Sequence, residues 1–421
     1  MFNSTYTALP GDTFSSISRK TYGTEQNAAL LQQANPNIQE PIQPGSGLLI
    51  PSDPNAPVNL QQATITDSNN ETSVLIRGRR FRYWEKITIQ RSIDSVDQIG
   101  LVAPFESDNP DYREAFRPFR FDPIEVNVNG QPLFTGRIVP VRPSLSNAGN
   151  SVAISAYSDA GLLSDTTAPG SKAPLEFDEM NLQDIATSLA KPYGVGVQFD
   201  DEPGPAFERV ALNAKEKVMP FLAKLAKQRG LVISSTPRGA LLFRKSVDGT
   251  GQPIAVFEQG QSPMFKIEAD FNEQEYYSSV TGVEPQILFL PGEQYTVKNP
   301  YLDNVQRPHV FDVPDVQGGD LKEAVAAKLG RMFANAATYT ITVPTWRDPK
   351  GNLWEPNTVV KVTAPGVMIY DAFKFIIRTV QMEREGDVEL ATLNLILPGG
   401  FSSQIPYALP WGESIPIGAT L

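Results

Sequence analysis

Cysteine is absent from the 421 residues, and histidine occurs once. Without cysteine the chain can form no disulfide framework, no thiolate metal site and no cysteine nucleophile. A Ser-His-Asp triad or a histidine-rich zinc site would have to use His309, which argues against most hydrolase chemistries. We expect His309, which follows Pro308, to lie in a loop. A carboxylate pair or an all-carboxylate metal site stays open, but no spacing among the acidic residues singles one out. The sequence therefore predicts a protein that is not an enzyme and has no metal or cofactor.

Long apolar runs are also absent. None approaches the roughly 20 residues of a membrane-spanning helix, and the N-terminus lacks the basic-then-apolar pattern of a signal peptide. We expect a protein made in the cytoplasm, with no membrane anchor. The chain has 36 basic and 47 acidic residues, a net charge of -11. Such a balance argues against tight binding to nucleic acid, because phosphate contacts need a basic face. A like-charged surface would instead let a DNA duplex slide past.

The length predicts about two to four domains, and the hydrophobic period changes along the chain from helical to strand-like and back. The predicted fold class is α+β, mostly β. The predicted units are a β-α-α-β module (1–52), a polar linker (53–70), a first β-rich domain (71–173), a small α+β domain (174–259), a second β-rich domain (260–398) and a C-terminal arm (399–421), either extended or disordered.

The β-α-α-β module is predicted from its first fifty residues. "YTALPGDTFSSISRKTYG" indicates a short strand, a Pro-Gly turn and a helix with Asp12 or Thr13 as its N-cap. "NAALLQQANPNI" indicates a second helix that ends before Pro36, and "GLLIP" a closing strand.

The first β-rich domain is predicted from alternation. "ITIQRSI", "IEVNVNGQPLFTGRI" and "SVAISAYS" alternate apolar and polar residues, and Asn129-Gly130 predicts a hairpin turn. The run "RGRRFRYWEK" interleaves arginines with Phe81, Tyr83 and Trp84. We favour a strand with a solvated basic face and a buried aromatic face; the alternative is contact with phosphates or an acidic partner.

The period then becomes helical. "NLQDIATSLAKPYG" predicts a helix capped by Asn181, with Asp184 three residues on. "KEKVMPFLAKLAKQRG" predicts a second helix that tolerates Pro220 near its first turn, and "LVISSTPRGALLFRK" a hairpin. In the second β-rich domain, "DLKEAVAAKLGRMFANAA" predicts a helix capped by Asp320, and "TYTITV" and "ELATLNLIL" alternate as strands.

Five stretches of the sequence, in order, resemble the baseplate hub proteins of contractile-tailed phages, the Mu-like hub and late control protein D group. They are "WEKITIQRSIDSVDQIGL", "FRPFRFDPIEVNVNGQPLFTGRI", "LAKQRGLVISSTPRGALLFRK", "NEQEYYSSVTGVEP" and "VPTWRDPKGNLWEPNTVVKV", and the resemblance covers roughly residues 72–398.

This resemblance implies two tube-like β-barrel domains per subunit, with the small α+β domain between them. It further implies a homotrimer that forms a pseudo-sixfold ring in the virion baseplate. The ring would join the sixfold tail tube, or a tube-initiator protein, to the threefold central spike protein. Baseplate wedge proteins would be neighbours, and the bore would pass the tape measure protein and DNA without sequence-specific binding.

The N-terminal module resembles LysM modules through "PGDT", "YG", "ANPNI", "PG" and "LLIP", and also the LysM-like tail protein X of contractile tails. LysM modules commonly bind N-acetylglucosamine glycans in a groove between two loops. The corresponding residues here are Gly11, Asp12, Thr13, Phe14, Asn37, Ile38 and Gln39. Because short LysM-like proteins serve tails as adaptors, we favour a protein contact for this groove over peptidoglycan.

Two alternatives stay open from the sequence. One is a cell-wall protein in which the LysM module anchors a peptidoglycan-binding or peptidoglycan-degrading chain. The other is the same hub in a bacterial contractile device, such as a pyocin or a secretion spike.

Overall fold

The computed structural model describes residues 4–8, 11–22, 25, 27–50, 70–146, 149–170, 175–284, 292–313 and 321–412. The chain divides into two compact units, Met1–Thr66 and Asp67–Leu421. The predicted linker 53–70 lies outside the described residues except for Asn70. Within the described part of the chain, no helix combines the length and the apolar character needed to cross a membrane.

The first unit has the β-α-α-β order expected from its sequence. Its elements are β1 (Ser4–Thr7), α1 (Phe14–Tyr22), α2 (Ala28–Ala34) and β2 (Gly47–Ile50). β1 and β2 pair antiparallel, and buried side chains of both helices and of β2 form the core, among them Ile17, Leu31 and Leu48. Asn35 is buried, and its side chain bonds the carbonyl of Leu31 and both backbone polar groups of Leu49. This one amide therefore ties the end of α2 to β2.

The second unit begins with seven strands and one short helix. They are β3 (Thr72–Ile76), β4 (Arg79–Phe81), β5 (Lys86–Ser92), β6 (Gln98–Pro104), α3 (Pro110–Ala115), β7 (Pro123–Val128), β8 (Gln131–Ser146) and β9 (Gly149–Ser158). The hairpin predicted at Asn129-Gly130 joins β7 to β8, and both residues have positive φ, 51° and 76°. That backbone is the primed turn whose twist suits a hairpin.

A small α+β part follows. It contains α4 (Leu162–Asp165), β10 (Glu176–Met180), α5 (Leu182–Ala190), β11 (Val197–Phe199), β12 (Phe207–Ala211), α6 (Val218–Lys227), β13 (Val232–Ser235) and β14 (Leu241–Arg244). The predicted cap of α5 is confirmed, because the Asn181 side chain accepts a hydrogen bond from the Asp184 amide at 2.9 Å. The predicted hairpin is β13–β14. These elements enclose their own core, which includes Leu182, Phe207 and Leu222.

The last part returns to strands around one long helix. Its elements are β15 (Ala255–Glu258), β16 (Lys266–Phe271), β17 (Ser279–Val283), β18 (Gln294–Lys298), β19 (Pro308–Asp312), α7 (Leu321–Ala336), β20 (Ala337–Val343), β21 (Val359–Ala364), β22 (Ile369–Glu385) and β23 (Val388–Ile396). The helix α7 agrees with the prediction, but its predicted cap, Asp320, lies outside the described residues.

Both β-rich parts contribute to one 13-stranded sheet. Its order is β16-β20-β23-β22-β5-β6-β9-β8-β7-β3-β4, with β21 on β22 and β15 on β21. β17, β18 and β19 form a separate sheet. The predicted fold class, α+β and mostly β, is confirmed.

Two expectations about local structure are wrong. His309 lies in β19 and not in a loop, and its ring stacks on Tyr277 with centroids 4.5 Å apart. The run "RGRRFRYWEK" is not one strand, because a turn at Arg77 and Gly78, both with positive φ, separates β3 from β4. Strand pairing and the Tyr277 ring override the loop-like neighbourhood of His309, whereas the turn at Arg77 and Gly78 is a local feature of the hairpin.

The described part of the C-terminal arm, residues 399–412, packs on its own chain. Phe401 and Leu409 are buried. The Tyr301 hydroxyl donates to the carbonyl of Pro406 at 2.7 Å, and the Trp411 ring meets Phe271 edge to face. The rest of the arm lies outside the described residues.

Candidate functional site

The sheet contains the same six-strand pattern twice. The first copy has the order β5-β6-β9-β8-β7-β3, and the second has β16-β20-β23-β22-β21-β15. Each strand also holds the same place along the chain, so that β3 corresponds to β15, β5 to β16, and β8 to β22. The patterns differ in one pairing, since β3 runs antiparallel to β7 and β15 parallel to β21. One chain therefore presents two topologically equivalent units, which we call repeat 1 and repeat 2.

The repeats join through β5 and β22. These strands pair antiparallel over seven residues. At the centre of this junction Ile89 lies directly opposite Met382, and both side chains are fully buried. At its end the Lys86 ammonium lies 2.5 Å from Glu383 and 3.3 Å from Glu385, and the hydrogen bond to Glu383 raises the pKa of Lys86. The junction is thus a buried apolar ladder with an ion pair at its edge.

The two loops predicted to form the groove of the N-terminal module lie together. The Phe14 amide donates to the Glu40 carboxylate at 2.7 Å, which links the 11–14 loop to the loop that follows α2. Gly11, with φ of +88°, and Thr13 are exposed on one side, and Asn37 and Gln39 on the other. Exposed polar side chains and backbone therefore flank this pair of loops.

The remaining predicted groove residues serve the module's own structure. Asp12 is buried and accepts a hydrogen bond from the Tyr6 hydroxyl at 2.8 Å. Phe14 is a core residue, and Ile38 packs against the same core. Thr13 is exposed and has a structural role as well, since it caps α1 by accepting a hydrogen bond from the Ser16 amide at 3.1 Å. Of the seven predicted residues, the four exposed ones, Gly11, Thr13, Asn37 and Gln39, are those that a ligand could contact.

The arginine-rich hairpin β3–β4 is paired with carboxylates of its own chain. Arg77 bonds Glu114 at 2.6 Å, and Arg80 bonds Glu71 at 2.8 Å. Phe81 meets Phe116 edge to face at 5.3 Å. These contacts agree with a solvated basic side and with packing at Phe81, but the expected buried aromatic face is incomplete, because Tyr83 is 63% exposed.

One exposed apolar loop was not predicted from the sequence. Phe119 is 98% exposed and Phe121 is 48% exposed, both with positive φ. Between them Arg120 bonds Glu114 at 2.5 Å, which anchors the loop while both rings face solvent. Positive φ in bulky residues is uncommon, and strained backbone of this kind clusters at functional sites. Sequence alternation gives no signal for such an arrangement.

Titratable groups form no candidate metal site in the part of the chain that the structure describes. No cluster of three or more His, Asp or Glu side chains that could hold a metal ion occurs in the described ranges. Burial lowers the pKa of His309. Asp97 is buried beside Arg91, and burial raises its pKa to about 6. Its amide bonds the Ser235 hydroxyl, so this carboxylate lies where repeat 1 meets the α+β part.

Comparison with known proteins follows the same division of the chain. Residues 160–245 match the family described as "Baseplate hub protein gp44-like, second domain". This stretch is the α+β part between the repeats. Baseplate hub protein gp44 of Escherichia phage Mu is 23% identical over 364 residues, which cover 83% of this chain and 90% of that protein. The resemblance to Mu-like baseplate hub proteins is confirmed. The localisation expected from it, the baseplate of a phage tail, is confirmed with it, and hub proteins of this type are structural components of the virion.

Two solved structures share the fold of this chain. The 43 kDa tail protein of prophage MuSo2 from Shewanella oneidensis has a TM-score of 0.67 at 20% identity, covering 79% of this chain and 99% of its own. A tail protein from Neisseria meningitidis MC58 has a TM-score of 0.65 at 22% identity, covering 79% of this chain and 98% of its own. Each of the two alignments therefore leaves roughly a fifth of this chain uncovered.

Proposed function

We propose that this hub protein assembles as a homotrimer whose subunits close a pseudo-sixfold ring in the baseplate of a contractile tail. The supporting observation is the duplication, since each chain carries two units with one strand order joined edge to edge. Three chains then supply six equivalent units, which matches a sixfold tail tube on one face and a threefold central spike on the other. Closure into a ring would also cover strand edges that are otherwise prone to uncontrolled pairing.

The role that follows is structural and not catalytic. The ring would bind the tail tube or its initiator, the central spike protein and baseplate wedge proteins. Its bore would pass the tape measure protein and then the DNA. A net charge of -11 suits such passage, because a like-charged wall holds no phosphate backbone in place.

The test is the mass of the purified protein by light scattering across protein concentration, followed by negative-stain microscopy. We expect three times 46.1 kDa and ring-shaped particles with a central hole. A monomer at every concentration, in the absence of partners, would count against a self-assembling ring.

We further propose that the N-terminal module is a LysM-like adaptor that contacts a neighbouring tail protein. Peptidoglycan is the competing ligand, because the two loops flank exposed Asn37 and Gln39, side chains that can bond a sugar as well as a peptide.

A pull-down with purified peptidoglycan separates the two ligands. We expect no retention of the intact protein. Retention that is lost on Asn37→Ala and Gln39→Ala, and kept on the control Gln33→Ala on the exposed side of α2, would establish the glycan instead. Asp12→Ala is a poor probe, because Asp12 is buried and bonded to Tyr6.

A further inference from the structure

The junction between the repeats predicts how one copy of the chain meets the next. Within a chain, β5 of repeat 1 pairs with β22 of repeat 2. The strand equivalent to β5 in repeat 2 is β16, and the strand equivalent to β22 in repeat 1 is β8. If every unit in a ring contacts the next unit through equivalent strands, β16 of one copy must pair with β8 of a neighbouring copy.

The edge of β22 used at this junction has a counterpart on β8 that no described strand occupies. On β22, Ile376 pairs with both β21 and β23, so these strands lie on opposite edges. From Thr379 onward, β5 pairs with the same edge of β22 that β21 occupies before this residue. On β8, Arg137 likewise pairs with both β7 and β9. Beyond Ile138, β8 keeps only β9 as a partner among the described strands.

The open stretch of β8 runs from Val139 to Ser146 and is largely exposed, with Leu145 84% exposed. β8 and β22 each have a register irregularity close to the residue where the strand on that edge ends. It lies at Ile138/Val141 in β8 and at Ile377/Thr379 in β22. β8 and β22 therefore correspond also in the position of this irregularity, as expected where a bulge redirects a strand.

The other required edge is also open. β16 ends the sheet order, and β20 is its only strand partner in the described part of the chain. Its side chains alternate between exposed and half-buried. Phe265, just before it, is 62% exposed, and Phe271, at its end, is 39% exposed. An exposed edge strand flanked by aromatic side chains is a template for pairing with another chain.

Charge on the two edges is complementary. β16 carries exposed Asp270 and also Glu268, whose carboxylate already lies 2.7 Å from Lys266 of the same strand. The open stretch of β8 carries exposed Arg142, so the complementary pair is Asp270 and Arg142. In the described structure neither Asp270 nor Arg142 takes part in an ion pair. The β5–β22 junction places its ion pair across the strands in the same way, between Lys86 and Glu383. Cross-strand pairs of opposite charge favour one register over others.

We propose that β16 of one copy pairs antiparallel with residues 139–146 of β8 of the neighbouring copy and so repeats the β5–β22 junction between subunits. This inference rests on the proposed ring and names the contact that closes it. Pro140 and Pro143 donate no backbone hydrogen bond, so this ladder has fewer bonds than the one within the chain. Side-chain contacts must then supply more of its stability.

Disulfide crosslinking tests the pairing directly, because the chain has no cysteine of its own. Glu268→Cys is combined, one at a time, with cysteine at positions 142, 143, 144 and 145, and the purified proteins are oxidised. Directly opposed residues in a sheet are close enough to crosslink, and side chains alternate between its faces. We expect covalent dimers and trimers on non-reducing gels, strong at every second position and weak between them.

Two controls define the readout. Gln90→Cys with Gln381→Cys joins residues opposed within one chain, and should crosslink without gain in mass. Each single cysteine variant should give no covalent dimer, because the contact joins unlike strands and places no two copies of the same cysteine opposite each other.

Light scattering of the same variants separates this inference from the proposed function. A trimer without the alternating crosslinks overturns the β16–β8 pairing and leaves the ring standing. A monomer at all concentrations, without crosslinks, overturns both. Crosslinks of equal yield at all four positions would indicate a mobile encounter and would also reject the strand pairing.

Discussion

Shortening Ile89 should weaken the junction between the repeats in proportion to the volume removed. Ile89 is fully buried opposite Met382, which is also fully buried. Ile89→Val removes one methylene and should lower the free energy of unfolding by about 1 kcal/mol. Ile89→Ala removes three carbons at about 0.8 kcal/mol each. Together with the cavity that remains, we expect a loss of about 3 kcal/mol.

Tryptophan fluorescence during denaturant unfolding measures this effect selectively. The four tryptophans, Trp84, Trp346, Trp354 and Trp411, all lie in the Asp67–Leu421 unit. The matched control is Ile17→Val, which makes the same deletion at a fully buried site of the first unit. It should leave the tryptophan transition unchanged.

Pairing of Ile89 with Met382 also predicts coupling. Residues in contact show interaction energies of about 0.5 to 3 kcal/mol in a double-mutant cycle, so Ile89→Ala and Met382→Ala should not be additive. Equal losses for Ile89→Val and Ile89→Ala, or strict additivity with Met382→Ala, would refute a packed junction.

Three further predictions concern stability of the same unit. Gly130→Ala should cost about 1 to 2 kcal/mol through its positive φ alone, whereas Gly136→Ala should cost about 3 kcal/mol or more, because its new Cβ would lie 2.0 Å from the Tyr157 carbonyl oxygen; equal unfolding midpoints would contradict this. Asn181→Ala should cost about 1 kcal/mol by removing the cap of α5, measured by the same denaturant titration, and no loss would mean that the cap is redundant. The pKa of Asp97 is raised from 3.8 to about 6, so its contribution is present below pH 3.8 and lost as pH rises through about 6. Relative to Asp97→Asn, the native protein should lose up to about 3 kcal/mol between pH 4 and pH 7, and a constant difference would show that Asp97 does not titrate there.

Local elements followed from the sequence because their causes are local. The Asn129-Gly130 turn needs two residues that accept positive φ, and the cap of α5 needs a side chain at Asn181 that reaches Asp184. Alternating runs predicted β5, β7, β9, β20 and β23 because one face of each is buried.

Features that depend on distant partners were not predicted. His309 has a loop-like neighbour in Pro308, yet it pairs in β19 and stacks on Tyr277. The exposed Phe119 loop was missed for a different reason. Its anchor is local, because Arg120 bonds Glu114 six residues earlier in the chain, but phenylalanine is among the residue types most often fully buried, so a buried ring was the default expectation.

By itself, the sequence predicted the clearest helices and strands, the positions where the hydrophobic period changes, and the resemblance to Mu-like baseplate hub proteins. Tertiary structure alone decided that the two β-rich parts share one sheet, in which Ile89 meets Met382. Periodicity records which face of a strand is buried, and it holds no information on which strand lies alongside. That choice is made by packing and edge hydrogen bonding between segments nearly 300 residues apart along the chain, as the Lys86–Glu383 contact illustrates.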